Sequence, residues 1–127
     1  MDSTTKWPHF SQKELQCPHC EEMHMDDGFM NKLEAIRVSY GRPIYINSGY
    51  RCPEYNNRIS HTGFDGPHTT GKAVDIGIVG EEAYKLLGIA LAHGVKGIGI
   101  NQKGSYSKRF IHLDDAPEAT RPWVWTY

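Results

Sequence analysis

Three residues of this chain have the types and placement to hold a metal ion: His68, Asp75 and His112. His68 lies in the stretch Ser60 to Gly71, rich in Gly, His, Thr and Pro and without periodicity, which reads as a loop shaped by tertiary contacts. Seven positions on, Asp75 falls in Ala73-Val74-Asp75-Ile76-Gly77-Ile78. Its alternation puts Val74, Ile76 and Ile78 on a core face and leaves Asp75 accessible beside the small Ala73 and Gly77. His112 alternates likewise, sharing a strand face with Phe110 and Asp114 while Ile111 and Leu113 turn inward. Two neutral imidazoles and one carboxylate suit Zn²⁺ and leave its fourth position to water. Zinc so held lowers the pKa of a water toward about 7 and polarises a carbonyl, so the chemistry these residues suggest is amide hydrolysis without a protein nucleophile.

Other residues could complete such a site. Asp114, two positions beyond His112 on the same strand face, is the candidate acid/base that passes a proton from water to the leaving amine. It could instead orient His112 as a hydrogen-bond acceptor, in which case Asp115 or Asp65 is the base. Arg51 follows a short strand at a Gly-formed turn, where its donor fork could hold a peptide carboxylate or a developing oxyanion; Tyr50 would line the same cleft. Singly, each has a plainer explanation: a solvated Asp75, a hydrogen-bonded core His112, an Arg51 paired on the surface. Their combination beside strands and a Gly-shaped loop is what points to chemistry.

Cys17, Cys20 and Cys52 cannot all pair within one chain, so several disulfides do not hold this fold together. Cys17-Pro18-His19-Cys20 resembles a redox dithiol or half a zinc site, yet the strand and helix that a redox motif wants around it are missing. Cys52 with His19 or His24 could supply the other half of a structural metal site; the alternative is three reduced, partly buried thiols.

The elements that must position these groups are legible. Ser11-Gln12-Lys13-Glu14 has the form of a capping box and predicts a helical turn from Ser11 to Gln16. Phe29, Leu33, Ile36 and Tyr40 recur on one helical face over Asp27 to Tyr40, and Gly41-Arg42-Pro43 stops that helix. Ile44 to Ser48 reads as a strand, Pro53 to Ile59 as a short helix, and Gly80 to His93 as a peripheral helix facing inward through Ala83, Leu86, Leu87, Ala90 and Leu91. Gly97 to Ile100 and Arg109 to Asp114 read as two strands in a hairpin-like arrangement. The aromatic tail, residues 121–127, is expected to pack back on the domain or line a groove. Substrate is expected between the Arg51 turn, the His61 to Thr70 loop and this tail, with Trp123 as a contact.

The 127 residues, 39% hydrophobic and 23% charged, suffice for one domain, read as 1–127 with an N-terminal arm over about 1–10. The pattern of helices and short strands favours an α+β class. A net charge of -1 gives no broad basic face for nucleic acid. No apolar run approaches the roughly 18 residues of a membrane helix, and the first residues lack a signal-peptide layout, so neither insertion nor ordinary export is expected.

Ser48-Gly49-Tyr50-Arg51, His68-Thr69-Thr70-Gly71-Lys72-Ala73-Val74-Asp75-Ile76 and Phe110-Ile111-His112-Leu113-Asp114, in that order, resemble the zinc D-Ala-D-Ala carboxypeptidases and phage peptidoglycan peptidases, above all their short single-domain members. The likeness runs from His9-Phe10-Ser11 to the Arg121–Trp125 tail. It implies a hedgehog-like α+β fold with a small antiparallel sheet and flanking helices, zinc on His68, Asp75 and His112, and Arg51 acting on substrate or oxyanion. It also implies a monomer acting on peptidoglycan peptides as a carboxypeptidase or endopeptidase. Such a protein would reach the wall from the host cytoplasm by holin-dependent release, or from outside as a virion component. Two positions depart from the family pattern. Gly66 replaces a serine that often precedes the first ligand by two, and Arg109 stands where many members carry a catalytic acid three before the last ligand. Asp114 matches an acidic position of the shorter relatives. A noncatalytic, zinc-containing wall-binding or virion structural protein is the alternative the resemblance allows.

Overall fold

The computed structural model describes residues 6–117 and 119–127; the first five residues of the N-terminal arm lie outside them. The chain begins with the short helix α1 (Gln12–Leu15), whose Ser11 cap and Glu14 side chain form the reciprocal hydrogen bonds of a capping box. Helix α2 (Asp27–Tyr40) is capped by the Asp26 carboxylate on the Phe29 amide and ends at Gly41 in the left-handed conformation. Then follow β1 (Tyr45–Ser48), α3 (Pro53–Ile59), β2 (Ala73–Gly77), α4 (Gly80–Ala92), β3 (Gly97–Asn101), β4 (Phe110–Asp114) and β5 (Trp123–Thr126). The stretch expected to be an irregular loop instead contains two 3₁₀ turns, Gly63–Asp65 and Pro67–Thr70, the second carrying His68.

One sheet runs in the order β1-β2-β4-β3-β5. Its first four strands are antiparallel, and β5 is parallel to β3. The sheet is therefore mixed rather than purely antiparallel, because the chain leaving β4 reverses, passes beyond β3 and must then run in the direction of β3. Phe29, Leu33 and Ile36 of α2, Leu86 and Ala90 of α4, and Val74, Ile76, Ile98, Ile111 and Leu113 of the sheet share one core with Leu15 of α1. Burying these side chains is the main driving force for the fold, on the order of 1.5–3 kcal/mol for each large one. None of the helices described is long and apolar enough to cross a membrane.

The register sets the opposite face. Ser48 pairs with Asp75, Asp75 with His112, His112 with Gly99 and Gly99 with Trp125, so five strands contribute one residue each to a single transverse row. The next row reads Ala73, Asp114, Gly97 and Trp123. An irregularity between Ile46 and Ser48 brings Ser48 opposite Asp75 at the start of the first row.

Candidate metal centre

His68, Asp75 and His112 converge, with ligand atoms within 4.8 Å of one another. His68 Nε2 lies 3.3 Å from Asp75 Oδ2, and His112 Nδ1 lies 2.9 Å from Asp75 Oδ1. Each ring is fixed from behind. His68 Nδ1 is 2.8 Å from the Gly49 carbonyl, which can only accept, so Nδ1 carries the proton and Nε2 presents a lone pair. His112 Nε2 is 2.6 Å from Asp114 Oδ2 and donates to it, which leaves Nδ1 facing Asp75. A nitrogen lone pair set against a carboxylate calls for a cation between them, either a proton or a metal ion. The charge balance agrees. Burial opposes ionisation of Asp75, but hydrogen bonds to His112 and His68 outweigh it and hold its carboxyl well below the usual range. Burial likewise disfavours the His112 imidazolium, yet Asp114 and Asp75 on its two nitrogens raise its pKa. The donor set, two imidazoles and one carboxylate, fits a zinc-type ion with room for a further ligand on the cleft side.

Asp114 is not an acid/base of the cleft. It is fully buried, and both oxygens are taken: Arg121 Nε donates to Oδ1 and Nη2 to Oδ2, each at 2.7 Å, the Ala116 amide donates to Oδ1, and His112 donates to Oδ2. Burial pushes its pKa up, but Arg121 and His112 outweigh that and keep it well below normal. A carboxylate held this way orients His112 and has no path to a substrate proton. Asp115 is excluded for a similar reason, being paired with Lys32 at 2.7 Å and bonded to the Lys96 amide.

Arg51 reaches the trio from the β1–α3 turn, with Nη2 3.3 Å from Asp75 Oδ2, Nε on Ser48 Oγ and Nη1 on Asn56 Oδ1. Asn56, buried in α3, also donates to Thr62 Oγ1 and to the Gly63 carbonyl, tying the guanidinium to the loop that carries His68. Tyr50, expected in the cleft, is instead buried on the far side of this turn, edge-on to His24, because the Gly49–Arg51 backbone sends successive side chains opposite ways.

Arg51, His68, Asp75 and His112 lie in a cleft of about 870 Å³, walled by the loop residues His61, Thr62 and Asp65 and by Phe110, Trp123, Trp125 and Tyr127. Trp123 is one of the cleft's lining residues, and the tail both adds a strand and lines a groove. A second depression of about 650 Å³ lies between the end of α2 and α4; its carboxylate, Glu82, is already paired with Arg42 and Tyr40. Arg109 faces neither: its guanidinium holds the Gly104 carbonyl and lies 4.5 Å over the Tyr106 ring.

Sequence reasoning missed Arg121, Asn56 and the glycines of β3. A Cβ on Gly97 would stand 2.1 Å from Asp114 Oδ1 and 2.3 Å from Arg121 Nε, and one on Gly99 would stand 2.6 Å from Trp125 Nε1. Glycine spaced by two in a strand is the available signal that something approaches one face closely. Here that something is the Asp114–Arg121 pair and the Trp125 ring, whose centroid is 5.2 Å from that of His112.

A family model described as Peptidase M15 matches residues 8–114, a span that contains every residue of the trio, Arg51 and Asp114. Searches of curated proteins and of solved structures give no match. With the family model covering most of its length, the chain belongs to the Peptidase M15 family, metallopeptidases of the zinc D-Ala-D-Ala carboxypeptidase type.

Proposed function

We propose that this protein hydrolyses amide bonds in the stem or cross-bridge peptides of bacterial peptidoglycan, with zinc held by His68, Asp75 and His112. The observation that carries this reading is the convergence of two tautomer-fixed imidazoles and an ionised carboxylate at the base of a cleft wide enough for a peptide. Zinc bound there would act as a Lewis acid toward the scissile carbonyl and a water molecule. The chain's own residues supply the rest. Gly49 and Asp114 hold the two rings in orientation. Arg51, with one further N–H on each terminal nitrogen, takes a substrate carboxylate or the oxygen that gains charge. Phe110, Trp123 and Trp125 offer flat apolar area to the peptide. Asp65 is the carboxylate of the cleft wall, among the described residues, that no hydrogen bond or ion pair occupies, and it is assigned the proton transfer from water to leaving amine. Under this reading the protein meets the wall through phage-type release or as part of a virion.

Zinc-loaded protein incubated with defined muropeptides should yield a new amine and the matching cleavage masses. No product across both carboxypeptidase and endopeptidase bonds would overturn the proposal. One observation favours a second reading, a zinc-containing wall-binding protein: Arg109 occupies the position of the family's catalytic acid and is turned away from the cleft. That reading predicts muropeptide affinity without turnover.

A further inference from the structure

The second convergence of metal-ligating groups lies on the other side of the Arg51 turn. The sulfurs of Cys17, Cys20 and Cys52 are within 4.8 Å of one another, although Cys52 is 35 positions from Cys17 in sequence. His19 Nδ1 is 3.4 Å from Cys52 Sγ, and its ring lies parallel to Tyr55 of α3 at 5.9 Å, which fixes its orientation. Three converging sulfurs, with an imidazole nitrogen beside that of Cys52, offer a zinc donor set of the Cys₃His kind.

Two alternatives fit less well. A redox dithiol needs an accessible attacking sulfur, usually at a helix N-terminus, whereas Cys17 is fully buried and Cys17–Cys20 sits in a turn rather than a helix. A disulfide would use two sulfurs and strand the third. The turn itself is built to present amides to sulfur. It is closed by the Cys17 amide on the Glu22 carbonyl and the Glu21 amide on the Cys17 carbonyl, with Glu21 at a φ of 62°. The Cys52 amide points at Cys17 Sγ from 3.4 Å.

We propose that Cys17, Cys20, Cys52 and His19 bind a structural zinc ion that fastens the N-terminal segment to the turn carrying Arg51. On binding, each thiol gives its proton to solvent and the imidazole coordinates as the neutral base, so three protons leave per ion. The ion joins residues 17–20 to a strip in which every residue already has a task. The Gly49 carbonyl orients His68, the Tyr50 amide bonds the Leu15 carbonyl, Arg51 reaches Asp75, and Cys52 follows directly. The site is thus a brace behind the candidate metal centre, and the inference does not depend on what that centre hydrolyses.

Reduced, metal-stripped full-length protein titrated with Co²⁺ tests it. The expected spectrum contains a sulfur-to-cobalt charge-transfer band in the near ultraviolet and intense tetrahedral ligand-field bands, with two ions bound per chain. Cys20→Ser, at a half-exposed thiol, should remove the charge-transfer band's full intensity and one ion. His19→Ala should keep the band, shift the ligand-field bands and weaken cobalt binding by at least about tenfold, as loss of one ligand from such a site does. His68→Ala should remove the other ion and leave the sulfur band untouched, which separates this site from the hydrolytic one. A wild-type spectrum without a sulfur band, an unchanged band in Cys20→Ser, or a mass two hydrogens light from a disulfide that re-forms after reduction would each overturn the proposal.

Discussion

Asp65 lines the cleft while Asp114 lies behind His112, and these surroundings suit the two carboxylates to different work. Asp114 lies under the sheet surface between Arg121 and His112, so Asp114→Asn removes one partner of a buried ion pair and should cost about 3–5 kcal/mol of stability. It should also weaken zinc at the trio about 10–100-fold, measurable by urea unfolding and by metal titration. Asp65 stands exposed on the cleft wall, so Asp65→Asn should leave both quantities unchanged and lower turnover on muropeptides by at least about 10²-fold. Equal turnover in the two proteins would remove Asp65 from the mechanism.

At the scale of elements, β3 makes room for the site by presenting glycines, Gly97 and Gly99, beside Asp114 and His112. Gly97→Ala would press a methyl against Asp114 and Arg121, and a loss of about 1–3 kcal/mol is expected in denaturant unfolding, together with weaker zinc binding. Gly88 offers the contrast, since it lies inside α4 and a Cβ added there would meet nothing within 4 Å. Gly88→Ala should therefore stabilise the protein by about 0.5–1 kcal/mol through helix propensity and leave the site alone. The tail strand β5 carries both duties of the C-terminal segment: its backbone extends the sheet edge, and Trp125 closes over His112.

For the whole molecule, the trio links stability to pH and to metal. Asp75 and Asp114 have lowered pKa values, so their contribution is present above their ordinary 3.8 and is lost as the pH falls through the lowered values. His112 has a raised pKa, so its contribution is complete below its ordinary 6.5 and is lost as the pH rises through the raised value. Metal-free protein should accordingly be most stable between pH 3.8 and 6.5. Under the proposed reading zinc would take the place of the His112 proton, so its affinity should rise with pH across that raised value. At a zinc concentration about 1,000 times its Kd the stabilisation should reach about 4 kcal/mol, read as the shift in unfolding midpoint with and without chelator across pH. A zinc-induced shift that is the same at pH 5 and pH 8 would contradict this linkage.

Helices α2, α3 and α4, strands β1 to β4 and the placement of His68, Asp75 and His112 near them were legible from local patterns, because hydrophobic period, capping residues and Gly or Pro stops are written within a few residues of where they act. Residue type and placement suggested the trio as a group, and the ordered motifs shared with a family singled it out. Tertiary structure alone decided three things. It set the register that lines Ser48, Asp75, His112, Gly99 and Trp125 in one row, turned Asp114 from a candidate base into a buried support, and sent Tyr50 to the cysteine side of its turn. Each depends on a partner outside its own element, Arg121 from beyond the end of β4 for Asp114 and β3 for the tail, and strand pairing between separate segments leaves no mark on the local sequence of either.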